Sequence, residues 1–474
     1  MNGRGFMKEQ TAQPNILGTE KIGRLLAKFA IPGIISMVVN SLYNIIDQIF
    51  IGQGVGYLGN GATSVVFPLI VFVMAIALLL GDGAASFMSL RLGEGDEKSA
   101  ARGMASGVVG IIISGLIIGI VYMVFIEPLC SLFGATEQIM PYAKDYGFIC
   151  SIGVPFLAIS VGISSIIRAD GSPKFNMAGL LAGCALNLIF DPVFIFVFGW
   201  GVKGAALATI IGQIVNAIMN LVYVWKFTKT IKLDKSSFKG WIVMLPRIMR
   251  LGVSSFITQF SLVIAIATRN NILVSYGAES KYGSDIPVTT LGITMKVFNI
   301  LMSVVMGLGS GAQPIFGYNY GSRRYDRVKK TLRYTVAIAT GVFVVAFLVA
   351  QLKPMAVISI FGSDSDLYNE FAIKCMRIYL MLIPLMGLQM ISGVFFQATG
   401  YPVQSSLISL SKQIIFQLPA TIIIPIFMGV EGALWAGPVS DIMAFSMTVF
   451  LLVFYWKKIF KSDEQPKINT NTNT

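Results

Sequence analysis

Asn40, Tyr43, Asn44 and Asp47 stand at i, i+3, i+4 and i+7 within one apolar run, so they line a single face of a helix. A charged aspartate in the middle of a membrane helix costs about 2.5 to 3.5 kcal/mol on insertion scales. Such a residue is therefore expected to face the bundle interior and mark an ion path. The bland alternative for Asp47 is a place one turn from the helix end, reached by external water. Asn187 and Asp191 lie one turn apart and Pro192 follows them. Proline lacks an N–H and clashes with the carbonyl four residues back, that of Leu188, which leaves an acceptor beside the two side chains. Carboxylate, amide oxygen and carbonyl suit a hard cation or a proton. The alternative here is that Pro192 only marks the helix exit. Thr209, Gln213, Asn216 and Asn220 continue the pattern at i, i+4, i+7 and i+11, with polar glue between helices as the better reading for the last two. Histidine is absent from the chain, so imidazole-based hydrolase chemistry is excluded and proton handling falls to carboxylates. Cys130, Cys150, Cys184 and Cys375 form no metal or disulfide spacing.

The elements that must hold these residues follow from composition. Hydrophobic residues make up 55% of the 474 and charged residues 12%, with a mean hydropathy of +0.74. Soluble domains carry about 25% charge, so this is an integral membrane protein. Twelve stretches meet the length of about 20 apolar residues that a bilayer requires: Phe29–Ile51, Ala62–Leu80, Met104–Ile126, Tyr146–Ile167, Met177–Phe198, Ala205–Trp225, Gly252–Val274, Val288–Leu308, Thr335–Leu352, Ile378–Phe396, Ile408–Met428 and Ala433–Trp456. Alternate loops hold the positive residues, among them Lys21, Arg24, Arg91, Lys98, Arg168, Lys229, Lys235, Arg323, Arg324, Arg327 and Lys457. The opposite loops hold little beyond Lys203, Lys281 and Lys353, with Glu127, Glu137, Glu279, Asp285, Asp364 and Asp366. The net charge of +13 is thus an orientation signal rather than the mark of a nucleic-acid partner, and places both termini in the cytoplasm.

GAASFMSLRLG at Gly83 recurs as GAQPIFGYNYG at Gly311, and GVKGAALA at Gly201 as GVEGALWA at Gly429, each 228 residues on. ADGSP at Ala169 recurs as ATGYP at Ala398, 229 residues on. The expected fold is therefore all-α: twelve transmembrane helices as two six-helix bundles in parallel repeat, residues 26–225 and 251–456, with a binding site between them. Residues 1–25 form a cytoplasmic segment. Residues 226–250 form a basic link, read either as an amphipathic interfacial helix or as a solvated connector. Residues 457–474 read as a disordered tail. The repeat also acts as a control, because it carries Asp191 to Pro419, Thr209 to Gly437 and Gln213 to Asp441. The cation ligands belong to the first half alone. Charges inside the second half are Arg269, Lys296 and Lys412, with Asp441, expected as internal ion pairs or as modifiers of substrate choice. Met295, Phe298, Met302 and Met306 share one helix face, and Phe67 and Met74 another, as soft candidates for a cavity or as ordinary packing.

NSLYNIIDQIFIG, NLIFDPVFI and GVKGAALAT on two six-helix halves resemble the MATE family of multidrug and toxic-compound extrusion antiporters, over about Leu25 to Trp456. The resemblance implies a V-shaped pair of bundles in the bacterial cytoplasmic membrane. It implies export of cationic amphipathic drugs or toxic metabolites by a monomer, driven by inward H+ or Na+, with no cofactor. Asp47, Asn187, Asp191 and Thr209 match the family's first-half cation site. Tyr43 and Tyr146 match positions lining the adjacent cavity, and Asn40, Asn44, Gln213, Met295 and Phe298 complete the expected lining. One branch of the family carries acids on the seventh, eighth and tenth spans. This chain has Arg269 and Lys296 on the first two, which places it nearer the bacterial MepA-type and DinF-type branch. A related flippase for a lipid-linked oligosaccharide is the alternative function. No GxSxG or paired-aspartate motif supports an enzyme.

Overall fold

The computed structural model describes residues 16–283, 285–361 and 366–460, and among these the regular structure is entirely helical. After a single turn at Ile16–Thr19, the first half consists of α1 (Ile22–Val55), α2 (Tyr57–Gly93), α3 (Glu97–Leu132), α4 (Met140–Ala169), α5 (Pro173–Pro192) and α6 (Gly201–Val222). The second half consists of α7 (Trp241–Ala278), α8 (Asp285–Gly321), α9 (Tyr325–Leu352), α10, α11 and α12 (Val430–Phe460), with a short helix, Pro354–Phe361, between α9 and α10. α10 is a broken span, Asp366–Tyr379 and Ile383–Ala398, bent by 45°. α11 runs through Pro402–Leu410, a π-helical stretch Ser411–Gln417, and Leu418–Met428. Among the described residues eleven helices are long and apolar enough to cross a bilayer, or twelve with the bent pair counted as one span. They outrun the apolar stretches that announce them, α2 by more than a dozen residues in total. The link also differs from its amphipathic reading: Trp241–Arg250 are the opening turns of α7, with Ile248 fully buried, and form no separate helix. Of the expected disordered tail, residues 457–460 are instead the last turn of α12, with Ile459 and Phe460 buried against the core, and the remainder lies outside the described residues.

The repeated loop motifs encode repeated turns. Gly171 and Gly400 both take a left-handed φ, +84° and +85°, and a proline opens the next helix two residues later. That combination stops one helix and starts another at a fixed angle. Prolines within the spans have local effects. After Pro192 the α5 backbone continues as a π-helical turn, Val193–Val197, as expected where an i to i−4 bond is missing.

Each half has its own apolar core, but the halves exchange pieces. Leu25, Leu26, Phe29 and Ala30 of α1 are buried in the core built by α8, α9, α10 and α12, while Ile248 of α7 joins the core of the first half. α1 packs on α8, and α2 on α7. These crossings rest on glycine. A Cβ on Gly33 would stand 2.6 Å from the Gly307 carbonyl oxygen, and one on Gly307 would stand 2.5 Å from the Ile34 Cα. On the other crossing a Cβ on Gly252 would overlap the Leu79 carbonyl. Leu79 and Gly307 are repeat partners, as are Gly93 and Gly321, which meet where α2 and α8 end. Equivalent residues facing one another place a pseudo-twofold axis between the halves.

All these close approaches lie at the end of the bundle that carries the basic turns. The halves are thus sealed at that end. At the other end the few cations are neutralised by acids, through Lys144–Glu127 (2.6 Å), Lys281–Glu370 (3.0 Å) and Lys203–Asp145 (3.2 Å), which sharpens the charge asymmetry between the two sides. Gly307→Val is expected to lower stability by about 1 to 3 kcal/mol, because a side chain forces α1 and α8 apart. Gly341→Ala, where an added Cβ meets no atom within 4 Å, should leave it unchanged or slightly raised. Thermal unfolding in detergent compares the two.

Candidate functional site

A cavity of about 550 Å³ runs down the middle of the molecule, with walls from both halves. Its first-half wall is the polar stripe of α1, with Asn40, Tyr43, Asn44 and Asp47, faced by Tyr146 of α4, Asn187 of α5, and Thr209 and Gln213 of α6. These eight expected residues are brought together on one surface. The helical period of α1 explains it: one face is polar, and the other, with Leu42 and Ile49 exposed at 44% and 49%, is apolar. Asp191 does not reach the cavity surface. It is completely buried behind Asn187, whose amide donates to its carboxylate at 3.4 Å and to the Thr209 hydroxyl at 3.2 Å.

The carboxyls of Asp47 and Asp191 are near enough to act on each other electrostatically, and Tyr43 lies beside Thr209. One oxygen each of Asp47, Asn187 and Asp191 is buried with no hydrogen-bond donor. A buried acceptor without a donor costs about 1 to 3 kcal/mol, and more when charged. Three of them in one cluster, beside two facing carboxyls, make a site whose electrostatics call for a cation or a proton. The oxygen-only donor set fits a hard ion such as Na+ as well as it fits H+. No group of three or more Asp, Glu, Cys or His among the described residues has the arrangement of a multivalent metal site.

Other expectations are placed differently. Met295 and Phe298 do not line the cavity. The first segment of α10 covers that part of α8, and Phe298 packs edge-on against Tyr379 at 5.9 Å. Further along the same helix Met302 and Met306 do line it, together with Met37, Phe67, Met74, Met386 and Met390. Asn220 is polar glue, donating to the Ser160 carbonyl at 3.1 Å, whereas Asn216 borders the cavity. Lys412 and Asp441 form a buried ion pair. Arg269 is buried too, but its described partner is the Tyr379 hydroxyl at 2.9 Å rather than an acid. Lys296 is exposed on α8 rather than enclosed in the bundle.

One cluster went unread in the sequence. Asp82 lies at the sealed end of the cavity, where its two oxygens accept from Ser165 of α4 at 2.6 Å and Ser255 of α7 at 2.7 Å. Arg168 donates to Ser165 at 2.9 Å, and Gln397 to Ser255 at 3.0 Å. Arg168 and Gln397 are repeat partners, so equivalent residues of the two halves converge on one carboxylate through one serine each. Asp82 stands two residues past the apolar run of α2, and Arg168 was counted with the loops, yet it is only 6% exposed. The available signal was the motif match itself, which aligns Arg168 with Gln397.

A family model for MatE matches residues 32–193 and 263–423, one stretch in each half. Multidrug export protein MepA of Staphylococcus haemolyticus (strain JCSC1435) is 22% identical over 435 residues, covering 91% of this chain and 93% of its own. A crystal structure of MATE in complex with MaL6 superposes with a TM-score of 0.88 at 21% identity, over 95% of this chain and all of that one. A solved chain described only as protein A is 32% identical, with a TM-score of 0.86, over 95% of this chain and all of that one.

Asp82→Ala removes the acceptor shared by both halves and strands the Arg168 guanidinium in a buried site. It is expected to lower stability by about 2 to 4 kcal/mol, and Asp82→Asn by less. Thermal unfolding of the two variants beside the wild type checks the order.

Proposed function

The chain belongs to the MatE family, and from that premise we propose that it exports cationic, amphipathic drugs across the membrane by antiport with H+ or Na+. The family is one of transporters rather than enzymes. The observation that carries this reading is the donor-less oxygen cluster of Asp47, Asn187 and Asp191, opening through Asp47 onto a cavity between the two halves. Two facing carboxyls in a dry pocket repel unless a proton or a cation joins them. An organic cation at the cavity wall and an ion between the carboxyls then compete for the same negative charge, which is the elementary requirement for exchange. Tyr43 and Tyr146 offer aromatic faces to a flat cation. The methionines around them supply a soft surface that moulds to different shapes.

In the cycle we infer, an outward-open form takes up an ion at Asp47 and Asp191 and releases the drug. The halves then rock about their glycine crossings, and the ion leaves on the cytoplasmic side, where the emptied acids receive the next drug. The membrane potential contributes about 2.3 kcal/mol per charge per 100 mV, enough for either ion. Both cavity walls come from one chain, so one chain suffices as the working unit.

The test is dye transport in proteoliposomes with a pH gradient and a Na+ gradient imposed separately. Wild-type protein is expected to move a cationic dye under at least one of them, and Asp47→Asn and Asp191→Asn to fall to background. Undiminished transport by either variant contradicts the site, and no transport under either gradient contradicts antiport.

A further inference from the structure

The first-half wall of the cavity carries Asp47, and Asp82 with Arg168 linked to it through Ser165. The charged lining residue contributed by the second half, among those described, is Lys412 of α11. It lies in the π-helical stretch Ser411–Gln417, a local widening of the helix that often marks a functional position. Its ammonium is held from behind by Asp441 of α12 and contacts the Ser440 hydroxyl at 3.3 Å. An ammonium has three donors and these two partners occupy two of them, which leaves one for a ligand.

The repeat shows what is unusual about this pair. Positions 228 residues earlier are Cys184 and Gln213, both neutral and both on the cavity. A buried ion pair is on balance no more stable than apolar residues of the same volume, so packing alone gives no reason for one at a cavity wall. Pairing with Asp441 also keeps the wall neutral overall, so a purely cationic ligand is not repelled, while an acidic group gains a charge-assisted contact with Lys412.

We propose that Lys412, positioned by Asp441, is a subsite for the acidic group of zwitterionic substrates. The cationic end lies against Tyr43 and Asp47, and a carboxylate or sulfonate reaches across the cavity to Lys412. The subsite rests on the export reading above and adds to it a second substrate class with a defined orientation.

The experiment compares two rhodamine dyes that differ only in one group, a cationic ethyl ester and its free carboxylic acid. Wild-type protein is expected to export both. Lys412→Gln combined with Asp441→Asn removes both charges and leaves no unpaired ion, so it should export the ester with unchanged KM and the acid with a KM raised about tenfold or more, the worth of one charge-assisted hydrogen bond. Asp441→Asn alone keeps the ammonium and, in the Asn carbonyl oxygen, an acceptor to position it, so it should retain export of the acid. A double variant that handles the acid as well as the wild type does, or loses acid and ester equally, overturns the subsite, as does a wild type that exports the ester alone. A wild type that exports neither dye counts against the export reading itself.

Discussion

Three buried oxygen atoms on Asp47, Asn187 and Asp191 have no hydrogen-bond donor, and two of them belong to carboxyls that face each other. In a bundle interior that arrangement is unstable with both acids charged, and it is relieved by a proton, a cation or a movement of the helices. The surrounding structure maintains the tension. Asn187 donates its amide to Asp191 and Thr209, and Asp191 is kept wholly from solvent. A site that needs an ion to be comfortable is one whose occupancy has mechanical consequences.

Those consequences pass through α1. Its early residues, Leu25 to Ala30, are buried in the core of the second half, while Asp47, further along, faces α5 and α6 of the first. The same helix is thus anchored in one half and carries a buried carboxyl of the other half's cluster. At the sealed end the seam consists of backbone-to-backbone glycine approaches and the Asp82 cluster, where two serines from different halves share one acceptor. Glycine contacts bury little side chain, so at these crossings the halves meet backbone to backbone rather than through interdigitated side chains. Fold, seal and site are in this sense one design: a duplicated bundle with an asymmetric charge pattern laid over a symmetric frame.

How far this was legible in the sequence depends on the kind of signal. The α1 stripe was readable because a 3.6-residue period alone fixes which side chains share a face. The confinement of this polar cluster to the first half was readable because the repeat aligns Asp191 with Pro419 and Thr209 with Gly437. A shared face does not say what it faces, and so Met295 and Phe298 were expected at the cavity although α10 covers them, whereas Met302 and Met306, two turns on, do line it. Asp82 and Arg168 are not legible as site residues because an apolar run ends before its helix does: α2 continues for several turns beyond Leu80, and Arg168 sits in the last turn of α4, buried rather than in water. The exchange of α1 and α7 between the cores is a tertiary fact with no local pattern to announce it.

The account stands on competition between an ion and a cationic drug for the Asp47–Asp191 pair. It is tested most directly by following ion release when a cationic dye binds purified protein in weakly buffered detergent solution, with a pH indicator and a Na+ electrode. Wild-type protein should release one or the other ion in proportion to the dye bound, and Asp191→Asn should bind dye with that release abolished. Dye binding by the wild type that releases neither ion would contradict the account.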